Sequence, residues 1–365
     1  MTDRDYMKRA IELAKKAVGF TNPNPMVGAV IVKNGRIIGE GYHRKCGELH
    51  AERNAFASLN ESAEGGTIYV TLEPCCHYGK TPPCTEAIIE NKISRVVIGS
   101  RDPNPLVSGK GARILREHGI EVEEDFMKVE CDEINYVFFH YITKKTPYVV
   151  LKYAMTADGK IASKSGKSKW ITGHKSRNEV HKMRHRYMGI MAGIGTVLAD
   201  DPMLNVRIDG LKSPVRIIVD SKLRISMESQ IVKTAKQYRT IVACAVDNQD
   251  KIKKLKSLGI EILILKDEKI LEPKVDLKLL MKKLGAMEID SVLVEGGGIL
   301  NDSLRKNNLI DRMEVFIAPK ILGGDLAKSP VEGEGVDELN EATTFNLIKT
   351  RFIDQDIQLS YERKD

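Results

Sequence analysis

The chain has 365 residues, too many for one typical folding unit, so two domains are expected. A hydrophobic fraction of 42% beside 29% charged residues excludes a disordered chain. The acid- and base-rich start Met1 to Lys8 and the lack of any run near ~20 apolar residues argue against a secretory signal and a membrane span, so the cytoplasm is expected. The net charge of +7 suits an anionic small molecule or a nucleic acid, but no basic run is interleaved with aromatics as a stacking platform requires.

Asp3 and Asp5 precede an apolar set at helical spacing, Tyr6, Ala10, Ile11, Ala14, Ala17 and Val18, that stops at Gly19 and predicts a first helix. Two β-rich runs, Ala29 to Val32 and Ile37 to Tyr42, flank Asn34-Gly35, a hairpin signal. A helix from about His50 to Leu59, a strand Thr67 to Thr71, a helix after Cys84, a strand Val96 to Gly99, a helix Gly111 to His118 and a short strand from Ile120 follow. A last helix, Val129 to Tyr141, runs into the polar segment ending at Pro147, where the domain boundary is placed: 1–145 and 146–365. The alternation then resumes with strand Tyr148 to Met155, helix Ser176 to Arg186 and strands at Val215, Ile241, Ile260 and Val292. Both halves predict α/β layered sheets.

Six cysteines at positions 46, 75, 76, 84, 131 and 244 are too sparse for a disulfide framework, and the clustered ones read as metal ligands. His50-Ala51-Glu52 opens a helix, and Pro74-Cys75 and Pro83-Cys84 follow. One imidazole and two thiolates leave a fourth tetrahedral position open, the mark of a catalytic zinc rather than a closed one. Glu52, two residues from His50, suits a proton shuttle between water and leaving ammonia. This is the His-x-Glu and Pro-Cys pattern of zinc deaminases, with Cys75 and Cys84 further apart than in the common form. A closed structural site of Cys75, Cys76, His77 and Cys84, or Cys76 in place of Cys75, remains open on residue type alone.

In the second half, a strand Val292 to Glu295 runs into Gly296-Gly297-Gly298 and a helix-like stretch, which lets backbone N–H groups approach a phosphate but equally fits a tight βα turn.

Over essentially its whole length the sequence resembles the bifunctional deaminase/reductase family of riboflavin biosynthesis. The resemblance rests on Thr21 to Gly28 (TNPNPMVG), His50-Ala51-Glu52 and the Cys75 to Cys84 loop in the first half. In the second it rests on Lys152 to Ala162, Trp170 to Gly173 and Gly195 to Pro202. It implies a cytidine deaminase-like α/β/α domain followed by a dihydrofolate reductase-like α/β domain. The first would deaminate a diaminopyrimidinone ribosylamine 5′-phosphate with zinc on His50, Cys75 and Cys84 and with Glu52 as proton shuttle. Asn24, His43, His77 and Lys80 would hold the ring or its phosphate. Read without the family, Asn24 is a turn residue and His43 a satisfied surface histidine.

The second domain would use NADPH to reduce the ribosyl side chain. The resemblance implies that Ala154, Trp170, Thr196, Asp200, Ser221, Gly297, Gly298, Ile299 and Leu300 line the cofactor site, Ser221 near the 2′-phosphate. Lys152, Ser168, Arg184, Leu204, Arg207 and Glu295 would face substrate, the two arginines clamping its phosphate. Lys152 or Asp200 would position the sugar or relay a proton. Arg184 also fits a solvated face of a basic helix. The family implies a homo-oligomer, with a tetramer among its forms. The competing functions are a tRNA adenosine deaminase with an unrelated second domain and a non-catalytic, zinc-stabilised interaction protein.

Overall fold

The computed structural model describes residues 1–78, 82–104, 107–269 and 271–364. Two units are separated in it, Met1–Lys145 and Thr146–Asp365.

The first unit begins with α1 (Asp3–Lys15), then the hairpin of β1 (Gly28–Lys33) and β2 (Arg36–Tyr42). Asn34 and Gly35 connect them with φ of 51° and 72°, the left-handed pair that matches the twist of the flanking strands. There follow α2 (Ala51–Ala57), β3 (Thr67–Leu72), α3 (Cys84–Glu90), β4 (Arg95–Ser100), α4 (Lys110–Glu117), β5 (Glu121–Glu123) and α5 (Lys128–Lys144). The sheet order is β2-β1-β3-β4-β5, antiparallel around β1 and parallel from β3 to β5. Alternating strand residues feed two cores. Ile31, Ile68, Val70, Val96 and Ile98 pack with Ala51, Ala55, Ile88 and Leu115 of α2, α3 and α4, while Val30, Val32, Tyr69 and Val97 pack with Met7, Ala10, Ile11 and Ile134 of α1 and α5. The result is a three-layer α/β/α unit.

The second unit contains β6 (Tyr148–Thr156), α6 (His174–Arg186), β7 (Gly189–Gly193), α7 (Ile194–Asp200), β8 (Val215–Val219), α8 (Gln230–Lys233) and β9 (Thr240–Cys244). It continues with α9 (Gln249–Ser257), β10 (Ile260–Ile264), α10 (Leu277–Ala286), β11 (Ser291–Val294), α11 (Gly298–Lys306), β12 (Arg312–Ala318), β13 (Phe345–Ile353) and β14 (Asp356–Arg363). Nine strands form one sheet in the order β10-β9-β8-β7-β11-β6-β12-β14-β13. All neighbours from β10 to β12 are parallel; β14 and β13 close the edge antiparallel. The chain crosses from β6 to β7, runs outward to β10 and returns to insert β11 between β7 and β6. Such a reversal opens a crevice beyond the carboxyl ends of the strands, where α/β sheets bind ligands.

Candidate active sites

In the first unit, His50 is the N-cap of α2 and Glu52 lies in its first turn. Cys84 is the first residue of α3, and its backbone N–H donates to Cys75 Sγ at 3.4 Å, so Cys75 follows β3 yet sits at the positive end of α3. His50 Nδ1 lies 3.4 Å from both Cys75 Sγ and Cys84 Sγ. All three donor atoms are within 4.8 Å of one another, and they are the one such group among the described residues. Tetrahedral zinc at ordinary bond lengths separates N and S by roughly 3.5 Å, so the donors have the spacing the metal needs. The sulfurs carry the matching chemistry. The hydrogen bond between the sulfurs pulls the Cys75 thiol down and pushes the Cys84 thiol up, so Cys75 is the one that favours the thiolate form a cation takes. Cys76 and His77 lie outside this group of donors.

Glu52 is buried beside the two sulfurs, and burial pushes its carboxyl up. His43 is buried rather than at the surface, with its ring edge-on to His50 at 5.4 Å. Its Nδ1 donates to Leu49 O at 3.0 Å, which leaves Nε2 to accept from Asn24 Nδ2 at 3.3 Å. Burial pulls the His43 imidazole down, consistent with this neutral tautomer. His77 Nδ1 is buried with no hydrogen-bond partner among the described residues. Lys80 lies outside the described residues. Sequence reasoning missed Glu73, whose buried carboxylate accepts from the N–H groups of Gly109, Gly111 and Ala112 at 3.0, 3.1 and 3.3 Å. It fastens the first turn of α4 to the segment that delivers Cys75. An acidic residue ending a buried strand was the available signal.

In the second unit a cavity of about 990 Å³ opens beyond the carboxyl ends of β6, β7, β8 and β11. Every residue named above for the cofactor and substrate of this half lines it. The Gly296-Gly297-Gly298 stretch joins β11 to α11, with Gly297 as N-cap. A Cβ on Gly298 would meet Glu332 Cγ at 2.3 Å, so the close approach of Glu332 to this turn requires a glycine there. Arg184 is no solvated helix residue: its side chain is 13% exposed and donates from Nε and Nη2 to Glu295 at 2.6 and 3.1 Å. Lys152 Nζ reaches the same carboxylate at 3.4 Å. Ser168 Oγ donates to Asp200 Oδ1 at 3.2 Å, and the Trp170 ring stacks on Arg177 at 4.5 Å. Lys222, Arg224 and Lys274 are among the cavity-lining cations that the sequence reading did not single out, because no motif marks them.

Two compositions of site therefore occur in one chain, a thiolate–imidazole cluster with a buried carboxylate and a nucleotide-sized cleft ending on a glycine turn. Residues 1–100 match the cytidine and deoxycytidylate deaminase zinc-binding region, and residues 147–359 match the RibD C-terminal domain. The chain belongs to the bifunctional deaminase/reductase family of riboflavin biosynthesis. It is 54% identical over 361 residues to riboflavin biosynthesis protein RibD of Actinobacillus pleuropneumoniae, covering 99% of this chain and 95% of that one. The Aquifex aeolicus protein of the same name is 44% identical over 362 residues, covering 99% and 98%. The solved Acinetobacter baumannii RibD is 37% identical with a TM-score of 0.88, covering 100% of this chain and 99% of that one. So does a Thermotoga maritima structure described as a diaminohydroxyphosphoribosylaminopyrimidine deaminase/5-amino-6-(5-phosphoribosylamino)uracil reductase match, 40% identical with a TM-score of 0.88, covering 99% and 98%.

The protein is thus an enzyme with a zinc-binding deaminase domain of cytidine deaminase-like fold and a pyridine nucleotide-dependent reductase domain of dihydrofolate reductase-like fold. Because these relatives span both units, the tRNA deaminase with an unrelated second domain is not favoured.

Proposed function

We propose that residues 1–145 remove the 2-amino group of 2,5-diamino-6-ribosylamino-4(3H)-pyrimidinone 5′-phosphate, and that residues 146–365 then reduce the ribosyl side chain of the product to its ribityl form with NADPH. The observation that carries this reading is that a three-donor zinc cluster with a buried carboxylate and a cleft ending on a glycine turn stand in the same chain.

His50, Cys75 and Cys84 would hold one zinc, which supplies the Lewis acidity that makes hydroxide available at neutral pH. Glu52 takes the proton of the attacking water and passes it to the departing amino group, which leaves as ammonia. Burial suits it to the task, because a raised carboxyl pKa brings proton acceptance and release closer to neutrality. Asn24 and His43, linked through Nε2, fix the ring beside the cluster, with His77 and Lys80 assigned to the ring or phosphate.

In the reductase domain bound NADPH would supply the hydride that reduces C1′ of the ring-opened sugar, with Lys152 or Asp200 relaying the proton that the adjacent nitrogen takes up. The chain's task is to hold donor and acceptor carbons in register. Ala154, Trp170, Thr196, Asp200, Gly297, Gly298, Ile299 and Leu300 are assigned to the cofactor. Lys152, Ser168, Arg184, Leu204, Arg207 and Glu295 are assigned to the substrate, with Arg184 and Arg207 as cations for its phosphate. Two features favour the phosphorylated cofactor over NADH. Ser221, Lys222, Arg224 and Lys274 all line the cavity past the end of β8. Asp220, the acid at that strand end, is fully buried and turned inward, accepting from the Ile225 N–H at 2.7 Å, so it does not present a carboxylate to a ribose.

A homo-oligomer in the cytoplasm fits this reading. The edge strand β13 exposes Leu347, Ile348 and Phe352, an apolar edge of the kind that partner subunits cover. No helix among the described residues is long and apolar enough to cross a membrane.

The test is to supply the diaminopyrimidinone ribosylamine phosphate and follow ammonia and NADPH together. One ammonia released per NADPH oxidised supports the assignment, whereas deamination of an RNA oligonucleotide but not of this substrate contradicts it. Calorimetric binding of NADP⁺ many-fold tighter than NAD⁺, with the gap narrowed by Lys274→Ala, tests the choice of cofactor.

A further inference from the structure

Arg216 is the largest fully buried side chain among the described residues, and no carboxylate among them is its hydrogen-bond partner. It sits on β8 and donates to five oxygens: Thr240 Oγ1, Thr234 Oγ1, Ile231 O, Tyr238 O and Met203 O, at 2.7 to 3.3 Å. A guanidinium buried without a counter-ion among the described residues carries a large desolvation cost that its hydrogen bonds have to offset. Its partners point to a role beyond stability.

Met203 O belongs to the segment 203–207, of which Met203, Leu204 and Arg207 line the reductase cavity and in which Leu204 adopts a left-handed φ of 48° while buried. The Arg216 guanidinium also stacks on the Tyr238 ring at 5.2 Å. The Tyr238 hydroxyl accepts from Asn205 Nδ2 at 3.3 Å. Buried Asn205 then meets both arginines assigned to the substrate phosphate: its backbone carbonyl accepts from Arg184 Nη1 at 3.0 Å, and its Oδ1 accepts from Arg207 Nη1 at 3.3 Å. From the opposite side the Arg207 N–H donates to His181 Nδ1 at 3.4 Å, one turn before Arg184 on α6.

We propose that Arg216, Tyr238 and Asn205 are positioning residues that set the spacing and aim of the Arg184–Arg207 clamp for the anionic end of the reductase substrate. The relay runs from a fully buried anchor, through an aromatic ring, to one asparagine whose two acceptors each hold one arginine. Glu295 neutralises Arg184, whereas no carboxylate among the described residues is a hydrogen-bond partner of Arg207, which Arg184 repels, so bridging both through a single neutral residue keeps them together before substrate arrives. The assignment rests on Arg184 and Arg207 being that clamp.

The test uses the full-length protein and the deaminated ribosylamine phosphate, with calorimetric binding of ribose 5-phosphate as a readout independent of turnover. Tyr238→Phe removes only the hydroxyl and leaves the ring on Arg216. It should raise KM for reduction and the Kd of ribose 5-phosphate together by about 2- to 10-fold, as loss of one hydrogen bond implies, with kcat within twofold. Arg216→Met, which replaces the buried cation by an apolar chain, should weaken both at least as much while ammonia release persists. Adding Arg207→Ala to Tyr238→Phe should weaken binding little beyond Arg207→Ala alone, because both act through one arm of the clamp. If Arg207→Ala raises KM but Tyr238→Phe and Arg216→Met leave KM and Kd at wild-type values, the relay is only structural and the proposal falls. If Arg207→Ala itself leaves both unchanged, the clamp reading fails first and takes the relay with it.

Discussion

Glu295 Oε1 accepts from Arg184 Nε at 2.6 Å while Oε2 accepts from Lys152 Nζ at 3.4 Å, so one carboxylate neutralises two cations in the wall of the reductase cavity. Burial on its own would push this carboxyl up; Arg184 and then Lys152 overcome burial and hold it at about 2. The folded value lies below the ordinary 4.5, so the stability it confers is fully present above that pH and is lost as pH falls through about 2.

Glu295→Gln should therefore destabilise the reductase domain at pH 7 by about 3–5 kcal/mol, the cost of leaving buried cations unpaired. Urea unfolding of variant and wild type should show this gap constant from pH 5 to 8 and narrowing as the solution is acidified below about 4.5. A gap that stays constant on acidification contradicts the pairing.

Glu52→Gln should retain one zinc per chain by metal analysis, since the proposed donors are His50, Cys75 and Cys84, and lose about 10²–10⁴-fold in ammonia release. Stripping zinc with a chelator should abolish ammonia release and spare NADPH oxidation on the deaminated intermediate. If Glu52→Gln released ammonia at the wild-type rate, the zinc-stabilised interaction protein would be the better account.

The zinc cluster was legible in the sequence because imidazole, carboxylate and thiol at fixed offsets carry their chemistry in the residue names, and helix starts at His50 and Cys84 bring them together. The C-terminal strands were not. In β14 the buried side chains are Asp356, Gln358 and Ser360, while Ile357, Leu359 and Tyr361 on the other face are less covered. Apolar alternation thus points to the wrong face. Their donors are met from afar: Glu314 accepts from Gln358 Nε2 and Ser360 Oγ at 2.8 and 2.7 Å. Arg216 was hidden for the same reason, as a cation whose partners, Met203 and the stretch Ile231 to Thr240, are distant from it in sequence. Strand β13 is exposed over nearly its full length as the sheet edge, so burial leaves no periodic mark there.

Gly41 on β2 lies against α2, and a Cβ there would stand 2.3 Å from Ala55 N and 2.4 Å from Ala51 O. Gly41→Ala should push the helix that begins at His50 away from the sheet. The expected cost is about 1–3 kcal/mol in the deaminase domain, with lower zinc occupancy and unchanged NADPH oxidation. Thermal melts and metal analysis check this, and full occupancy with an unshifted melt would contradict the close packing.

Asp356 Oδ2 accepts from Gly173 N at 2.8 Å and Ser176 Oγ at 2.5 Å, capping α6 from a distant strand. Since α6 carries His181 and Arg184, Asp356→Ala should cost about 0.5–2 kcal/mol and raise the reductase KM. Asp356→Asn, which keeps an acceptor oxygen, should restore most of both. Equal losses in the two variants would show that the cap is not the cause.

The most direct test of two separate active sites in one chain is to give Glu52→Gln the deaminated ribosylamine phosphate and measure NADPH oxidation. The account predicts oxidation at the wild-type rate from a protein whose ammonia release from the diamino substrate is cut by about 10²–10⁴-fold. Reductase activity lost along with ammonia release, in a folded and zinc-loaded variant, would contradict it.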